Sequence, residues 1–279
     1  MNLSYTDEQN LLRDSVSKFC GSDYDFETRM KSVNSENGHN PEHWKLFAEL
    51  GWLAIPFSED LGGLDGGDVD LSLMFEEFGK SIVVEPYLAN VVLSGSVLKR
   101  SDLENKTDLI EHLIAGEKQV SLANYEPKKG FNLDNVECEI SDDGKVSGLK
   151  TTVLNAPNAD LFLVFGKHKS GFAFALISKG AEGSKVTTYK TYDGFVSGDL
   201  LLENCKAEAV FSKSDALEIL HQAILEGIIC VSSEAIGAME TCYKLTIEYT
   251  QQREQFGQSL SKFQALQHRM VDMFMETEF

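Results

Sequence analysis

The chain has few basic residues. Its 279 residues include 25 Lys and Arg against 44 Asp and Glu, which gives a net charge of −19. A field of that sign repels nucleic acid and anionic membrane surfaces, and no basic patch offsets it. It does not exclude an anionic cofactor, because one buried arginine sets the potential around it. The charge therefore predicts a protein with no nucleic-acid or membrane partner.

Paired cysteines and long apolar runs are also lacking. The five cysteines are odd in number and scattered, without a Cys-x-x-Cys pair, which predicts free thiols in a reducing compartment and no zinc site. The N-terminal residues have neither the basic start nor the apolar run of a signal peptide. No stretch approaches the roughly 20 apolar residues that span a bilayer. We therefore expect a cytoplasmic protein.

Hydrophobic periodicity divides the chain into three zones. Residues 1–116 have helical apolar spacing, residues 117–212 have strand-like runs separated by turns, and residues 213–279 are helical again. Short strands at this spacing are typical of a small β-barrel or sandwich. The pattern predicts a mainly α protein with a central β domain: an N-terminal helical domain, the β domain and the start of a C-terminal helical bundle.

Short sequence motifs predict where several helices begin and where one turn lies. Thr6 and Gln9 form a capping box, and Asn40-Pro41 is an N-cap followed by proline at the first helical position. The run Asp142–Lys145 contains Asp-Gly and predicts a hairpin turn. A proline-free helix is expected from about Ser214 to Gln252.

The most specific segment begins where this long helix ends. Arg253 is followed by Phe256-Gly257, where we expect the helix to break before a second amphipathic helix starts at Leu260. Arginine suits bidentate binding of a phosphate group. Taken alone, Arg253 is as well explained by an exposed side chain that interacts with its own helix dipole.

The frame Arg-x-x-Phe-Gly followed by Phe-Gln resembles the signature of the acyl-CoA dehydrogenases, FAD enzymes that desaturate acyl-CoA thioesters. The resemblance covers the whole chain and includes further stretches: Leu50–Phe57, Glu76–Gly79, Asp193-Gly194 and Glu234–Ala238. Three phrases are similar to small subunits of the pimeloyl-CoA-dehydrogenase type: Tyr24–Glu27, Val84–Ala89 and Phe263–Arg269. The resemblance implies that the chain ends inside the C-terminal bundle.

The resemblance also implies which residues bind FAD. Family members hold the FAD diphosphate and ring with the arginine corner and with two strands of the β domain. The corresponding positions here are Arg253, Phe256, Gln264, Leu122, Asn124, Tyr125, Leu154 and Asn155. The chain departs from the family where Tyr125 replaces a small hydroxyl residue, where Thr152 replaces an aromatic and where Leu154 replaces a second hydroxyl residue. These departures reduce the hydrogen bonding expected around the flavin ring.

The catalytic base is not apparent. Desaturation needs a carboxylate in a dry pocket, with its pKa raised toward the working pH. In most family members this glutamate lies at a position that would follow Phe279, and in a minority it lies on the long helix at the position of Gly227. Glu226 is one residue away, turned by about 100°. We expect Glu226 to be a solvated or interface carboxylate, with a role as base as the less favoured alternative.

These features predict a subunit of an FAD-dependent acyl-CoA dehydrogenase that desaturates the α,β carbons of an acyl-CoA. The alternative is a catalytically silent subunit that completes a flavin site shared with an active partner. The implied partners are acyl-CoA, another dehydrogenase subunit in a homo- or hetero-oligomer, and an electron-transferring flavoprotein. The helices over 214–252 and 260–279 are expected to expose an apolar face that needs a partner.

Overall fold

The computed structural model describes residues 4–279 and has the predicted order of helices, strands and helices. Residues 1–3 of the predicted N-terminal domain lie outside the described residues. The helices before the first strand are α1 Asp7–Ser22, α2 Phe26–Asn34, α3 Pro41–Glu49, α4 Asp68–Ser81, α5 Gly95–Arg100 and α6 Lys106–Ile114. The last two helices are α7 Ala216–Gln252 and α8 Gln264–Glu278.

The predicted helix starts are confirmed. The Thr6 hydroxyl accepts from the Gln9 N–H at 3.2 Å, and the Gln9 side chain accepts from the Thr6 N–H at 3.1 Å, as a capping box requires. The Asn40 side chain accepts from the Glu42 N–H at 3.0 Å at the start of α3. Each contact satisfies an N–H group that the first helical turn leaves without a partner.

Between the two helical segments, the chain forms one mixed sheet of eight strands. Their order is β6-β7-β3-β2-β4-β5-β8, and β1 pairs with β4 in parallel. The strands are β1 Val120–Ala123, β2 Glu139–Ile140, β3 Lys145–Leu154, β4 Leu161–His168, β5 Gly171–Ser178, β6 Ser184–Lys190, β7 Val196–Lys206 and β8 Ala209–Phe211. Strands β4 and β5 supply much of the core, since β4 is buried over seven of its eight positions.

The predicted turn between β2 and β3 is confirmed. Apolar and charged residues alternate from Val136 to Ile140, which predicts a strand over these residues, but only Glu139–Ile140 forms β2. The Ser141 N–H donates to the Lys145 carbonyl at 2.9 Å across the turn. Before β2, the Glu137 and Cys138 N–H groups donate to the Glu126 carboxylate instead of to a neighbouring strand. A side chain has therefore replaced the sheet ladder over the first part of the predicted strand.

The segment before α5 is a π-helix, Leu88–Ser94, where an ordinary helix was expected. The Ser94 hydroxyl donates to the Ala89 and Val120 carbonyls at 2.8 Å each. The buried Asn90 side chain accepts from the Val120 N–H at 2.6 Å. These bonds compensate for the wider turn and attach it to the first residue of β1.

The corner after α7 differs from the expected junction of two helices. Glu254–Gln255 and Gln258–Ser259 pair as the antiparallel strands β9 and β10. The two residues between them, Phe256 and Gly257, have φ of 55° and 80°. Positive φ at both central positions is the requirement of a tight type I′ hairpin turn. A 3₁₀ turn, Leu260–Lys262, then precedes α8, which begins at Gln264 rather than at Leu260.

The chain divides into two compact units. One comprises Met1–Arg29, Val69–Val83 and Ile229–Phe279, and the other comprises Met30–Asp68 and Val84–Ile228. The three domain ranges taken from the sequence stay a prediction.

Within the first unit, α4 and α7 approach through two glycines. A Cβ on Gly79 would lie 2.0 Å from the Glu234 carbonyl oxygen, and a Cβ on Gly237 would lie 1.9 Å from that of Glu76. Both glycines belong to stretches that carry the family resemblance, so the structure gives them a packing role. The charged Lys80 flanks this crossing, with Nζ 2.7 Å from Glu77 and 3.1 Å from Glu240.

The helix α7 is long and apolar enough to cross a membrane by length and composition, with an 18-residue window of mean hydropathy 1.4. This corrects the expectation that no stretch comes close to that criterion. A core helix of a soluble protein passes the same test, and 33% of this window is buried.

The predicted exposed apolar face is confirmed on both terminal helices. Many large apolar side chains of this pair are more than a third exposed, and α8 has no buried residue. They are Leu225, Ile228, Val231, Ile236, Met239, Leu245 and Tyr249 on α7 and Val271, Phe274 and Met275 on α8. An apolar face of this extent marks an interaction surface.

Candidate functional site

The segment after β1 runs beside β3. Leu122 is buried within β1, where it pairs with β4. The Tyr125 carbonyl accepts from the Thr151 N–H at 2.9 Å. The Asn124 carbonyl accepts from Lys150 Nζ at 3.4 Å. Of the three predicted cofactor residues of this stretch, Leu122 is therefore held to β4, and Asn124 and Tyr125 are held to β3 by their carbonyl groups.

A buried ion pair lies at the end of this segment. Lys150 Nζ is 2.7 Å from Glu126, and the two side chains are 0% and 4% exposed. The Glu126 carboxylate also accepts from the Glu137 N–H at 2.6 Å and the Cys138 N–H at 2.9 Å. This ion pair was not predicted from the sequence. The available signal was a lysine, Lys150, within a predicted β segment.

Burial and charge act against each other in this ion pair. Burial opposes ionisation of Glu126, but the hydrogen bond and charge of Lys150 and the two backbone N–H groups outweigh it, so the pKa of this carboxyl lies below its ordinary value. Burial lowers the pKa of Lys150. Burial also raises the pKa of the neighbouring Cys138 thiol to about 11, which keeps this cysteine in the unreactive thiol form.

Three buried polar atoms around the predicted flavin strands have no hydrogen-bond partner among residues 4–279. They are Ser121 Oγ, Asn124 Nδ2 and Ser197 Oγ. Ser121 belongs to β1, and Ser197 of β7 pairs directly with Leu154 of β3. Buried polar groups are almost always hydrogen-bonded, so each of the three requires an explanation. Of the three, Asn124 belongs to the predicted flavin set, and a flavin ring has acceptor atoms for an amide donor.

Asn155 is committed to the protein itself. Its Nδ2 donates to Gln119 Oε1 at 2.7 Å, and its Oδ1 accepts from Asn158 Nδ2 at 2.7 Å. Its φ of 58° lies in the left-handed region that asparagine tolerates. The side chain therefore stabilises the turn that ends β3.

The arginine corner presents its side chains to solvent. The Arg253 N–H donates to the Tyr249 carbonyl and the Arg253 carbonyl accepts from the Leu260 N–H, both at 2.8 Å. Its guanidinium is exposed, and within the described residues it forms no hydrogen bond or ion pair. The backbone of Arg253 is thus fixed on both sides while its five donors remain available.

Phe256 and Gln264 are exposed, as the Arg253 side chain is. Phe256 is 91% exposed, so it is not a core side chain, and its ring contacts only the edge of Phe263 among the aromatic rings described, at 6.2 Å between centroids. Gln264 is exposed at the first residue of α8. A large aromatic side chain at the tip of a hairpin is costly to leave in water, which favours a contact outside this chain.

Glu226 is neither solvated nor suited to act as a base. It is 9% exposed, and its Oε1 lies 2.5 Å from Arg100 Nη2 and 3.1 Å from Lys99 Nζ. Burial raises the pKa of Glu226, but the two cations outweigh it and hold the pKa below its ordinary value. A Cβ at the neighbouring Gly227 would lie 2.8 Å from Leu93 Cδ2. The alternative base position is therefore occupied by an apolar contact.

Replacing Glu226 by glutamine is expected to reduce the acid sensitivity of folding. Because the folded-state pKa of Glu226 lies below its ordinary 4.5, its contribution to stability is complete above that value and is lost as the pH falls through the folded pKa. Urea unfolding across acidic pH should therefore show a shallower decline for Glu226→Gln than for the wild type, and lower stability at neutral pH. Glu104→Gln, at an exposed residue, is the control. If the unfolding free energies of Glu226→Gln and the wild type fell in parallel with pH, the lowered folded-state pKa assigned to Glu226 would be contradicted.

Two described cavities are lined by residues outside the predicted cofactor set. One of about 430 Å³ lies beside β2 and β3 and is lined by Lys145, Lys167 and His168 among others. A second of about 490 Å³ includes His39, Trp44 and Lys179, and also Gln119 and Asn158, which hydrogen-bond to Asn155. In the described part of the chain, no group of three or more His, Cys, Asp or Glu residues could hold a metal ion.

The described residues form an N-terminal helical segment, one mixed β-sheet and two terminal helices. Residues 6–117 match the acyl-CoA dehydrogenase N-terminal domain, and residues 217–279 match the acyl-CoA dehydrogenase C-terminal domain. The chain belongs to the acyl-CoA dehydrogenase family.

Individual relatives agree with this assignment. The chain is 27% identical to the mitochondrial isovaleryl-CoA dehydrogenase of Pongo abelii over 290 residues, which cover 96% of this chain and 68% of the relative. The solved structure of PigA with FAD and proline has a TM-score of 0.89 at 23% identity and covers 100% of this chain and 77% of its own. The ChsE4–ChsE5 complex from Mycobacterium tuberculosis has a TM-score of 0.86 at 25% identity, with coverage of 100% and 76%.

Proposed function

We propose that the chain is a subunit of an FAD-dependent acyl-CoA dehydrogenase that acts on the α,β carbons of an acyl-CoA thioester. The match of residues 6–117 and 217–279 to the two acyl-CoA dehydrogenase domains carries this proposal. FAD is the cofactor, and when bound it supplies a hydride acceptor for the β carbon. In the protein, the unpartnered Asn124 amide binds and orients the ring, and Arg253 binds an anionic diphosphate through its exposed guanidinium.

The proton on the α carbon needs a carboxylate acceptor. Glu226 is unsuited, because Arg100 and Lys99 stabilise its ionised form and so weaken it as a base. The position of Gly227 has no carboxylate, and a side chain there would meet Leu93. The described residues therefore offer flavin and phosphate ligands but no suitable base on α7.

The presence of candidate cofactor ligands without a suitable base on α7 supports a second candidate function. In this function, the chain is a catalytically silent subunit that completes a flavin site shared with an active partner. The missing base on α7 and the replacement of a small hydroxyl residue by Tyr125 favour it. The exposed apolar face of α7 and α8 suits association with a second dehydrogenase subunit. One similar structure is itself a complex of two differently named chains, ChsE4 and ChsE5.

The finer assignments rest on the sequence resemblance. They comprise similarity to small subunits of the pimeloyl-CoA-dehydrogenase type and a cytoplasmic location. An electron-transferring flavoprotein is the acceptor that the resemblance implies. The net charge of −19 is compatible with a soluble partner of this kind.

Arg253→Ala is expected to weaken FAD retention by roughly ten- to hundredfold, because losing a charge-assisted contact costs about 1.5–3 kcal/mol. The measurement is the ratio of flavin to protein absorbance after dialysis of the protein purified with its partner subunit. Lys262→Ala is the matched control, since it removes the same charge from the exposed turn that follows. Arg253→Lys should restore only part of the retention, because it lacks the planar fork. Equal flavin content in Arg253→Ala and Lys262→Ala would mean that Arg253 does not bind FAD and only interacts with the dipole of its own helix.

A further inference from the structure

We propose that the buried Lys150–Glu126 pair is a positioning device that orients Asn124, and that Asn124 Nδ2 donates a hydrogen bond to the flavin ring. Lys150 and Glu126 are positioning residues, since they act through the segment between β1 and Pro127. The inference rests on the proposed function, because it assumes that FAD lies against this segment.

The contacts of Lys150 reach both ends of the segment. Its Nζ binds the Asn124 carbonyl at 3.4 Å and the Glu126 carboxylate at 2.7 Å. Between them, the Tyr125 carbonyl accepts from the Thr151 N–H at 2.9 Å. Three consecutive residues are thus attached to two consecutive residues of β3. This arrangement fixes where the Asn124 side chain leaves the backbone.

The Glu126 carboxylate extends the attachment to a second strand. It accepts from the Glu137 and Cys138 N–H groups, which directly precede β2. Removing the carboxylate alone would leave two backbone donors and a buried ammonium without a partner. A buried ion pair adds little to stability compared with apolar residues of the same shape, whereas it specifies geometry through directed bonds. The pair therefore fits a role in orientation.

The Asn124 amide is the group that this attachment orients. Its Nδ2 atom is buried and has no partner among residues 4–279, although its own carbonyl accepts from Lys150. An amide N–H₂ is a donor that a flavin carbonyl or ring nitrogen accepts, and the electron-rich reduced ring accepts it more strongly.

The test is a double-mutant cycle on the protein purified with its partner subunit. The first variant is Asn124→Ala. The second is the double variant Lys150→Met with Glu126→Gln, which removes both charges and keeps one acceptor for the backbone donors. The third combines all three changes. Val146→Ala, a fully buried substitution on the same strand β3, is the control for general loosening.

FAD retention, the visible flavin spectrum and the reduction potential of the bound flavin are measured for each protein. Asn124→Ala should weaken retention about five- to tenfold, as expected for one lost neutral hydrogen bond, and lower the potential. The double variant should weaken retention and lower the potential by the same amounts. The triple variant should show no further loss, because all three changes remove the same hydrogen bond between Asn124 and the flavin. Val146→Ala should leave spectrum and potential unchanged. Lys150→Arg, which keeps the charge and the donors, should restore most of the potential.

The outcomes separate this inference from the proposed function. A wild-type protein that binds no FAD overturns both. A wild-type protein that binds FAD, with additive effects of Asn124→Ala and the double variant or with an unchanged flavin potential in either, overturns the positioning role alone.

Discussion

Lys150→Met alone is expected to lower the free energy of unfolding by about 3–5 kcal/mol, the cost of breaking a buried ion pair on one side. Lys150 is 0% exposed and its partner carboxylate is 4% exposed, so water cannot replace the lost contact. The remaining carboxylate keeps two backbone donors but loses its counter-charge. Urea denaturation at neutral pH, followed by circular dichroism, measures the change.

The comparison with Lys150→Met plus Glu126→Gln identifies the cause. If the uncompensated charge dominates, the double variant should recover most of the lost stability, because an amide in that place has no charge to desolvate. If the loss came from the packing of the lysine side chain, the double variant would be no more stable than the single one.

The dependence of the unfolding free energy on acidic pH gives a second check on the role of Glu126. Glu126 has a lowered folded pKa, so the stability that it contributes is present above its ordinary pKa of 4.5 and lost as the pH falls through the folded value.

Gly237→Ala is expected to destabilise the protein by about 3 kcal/mol or more, at the upper end of the range for overpacking. The added Cβ would lie 1.9 Å from the Glu76 carbonyl oxygen, a backbone atom that cannot rotate away. The helices α4 and α7 would have to separate, and the contacts of Lys80 with Glu240 would weaken. Gly79→Ala should behave in the same way, with its Cβ 2.0 Å from the Glu234 carbonyl oxygen.

Gly21→Ala is the matched control for this substitution. Gly21 lies in α1 of the same unit, and a Cβ there meets nothing within 4 Å. Alanine at an open helical position should stabilise by up to about 1 kcal/mol through helix propensity. In thermal melts, the melting temperature should therefore fall for Gly237→Ala and Gly79→Ala and rise for Gly21→Ala. A small or stabilising effect of Gly237→Ala would mean that the helices do not approach as closely as the structure shows.

Elements with strong local signals could be predicted from the sequence. The capping box at Thr6, the proline start of α3 and the Asp-Gly turn before β3 each depend on residues within one turn. The long helix α7 was predicted because its apolar spacing continues without proline. The π-helix Leu88–Ser94 was not predicted, because the hydrogen bonds that stabilise it join Ser94 and Asn90 to the backbone of Val120, which lies far along the chain.

The hairpin at Phe256-Gly257 shows a similar limit. Its glycine indicated a break in the helix, but two residues with positive φ in succession are decided by the pairing of Gln255 with Gln258. The phosphate-binding interpretation of Arg253 came from the resemblance and stays a prediction, since its guanidinium is exposed and unpaired within the described chain.

At the β domain, the sequence identified the segment Leu122–Tyr125 but not what holds it. Its attachment depends on Lys150 and on the N–H groups before β2, which are distant in sequence. The same is true of Glu226, which was expected to be a solvated or interface carboxylate. Its partners Lys99 and Arg100 come from the end of α5. Long-range ion pairs of this kind leave no local pattern.

The most direct test of the central claim is anaerobic titration of the purified protein, alone and with its co-expressed partner subunit, with a series of acyl-CoA thioesters. A member of an FAD-dependent acyl-CoA dehydrogenase should carry stoichiometric FAD at least in the complex, and the visible flavin band should bleach when a suitable acyl-CoA is added. Bleaching by the chain alone would identify it as the active subunit, and bleaching only in the complex would identify it as the silent one. A colourless protein in both preparations, with FAD retained in neither, would contradict the account.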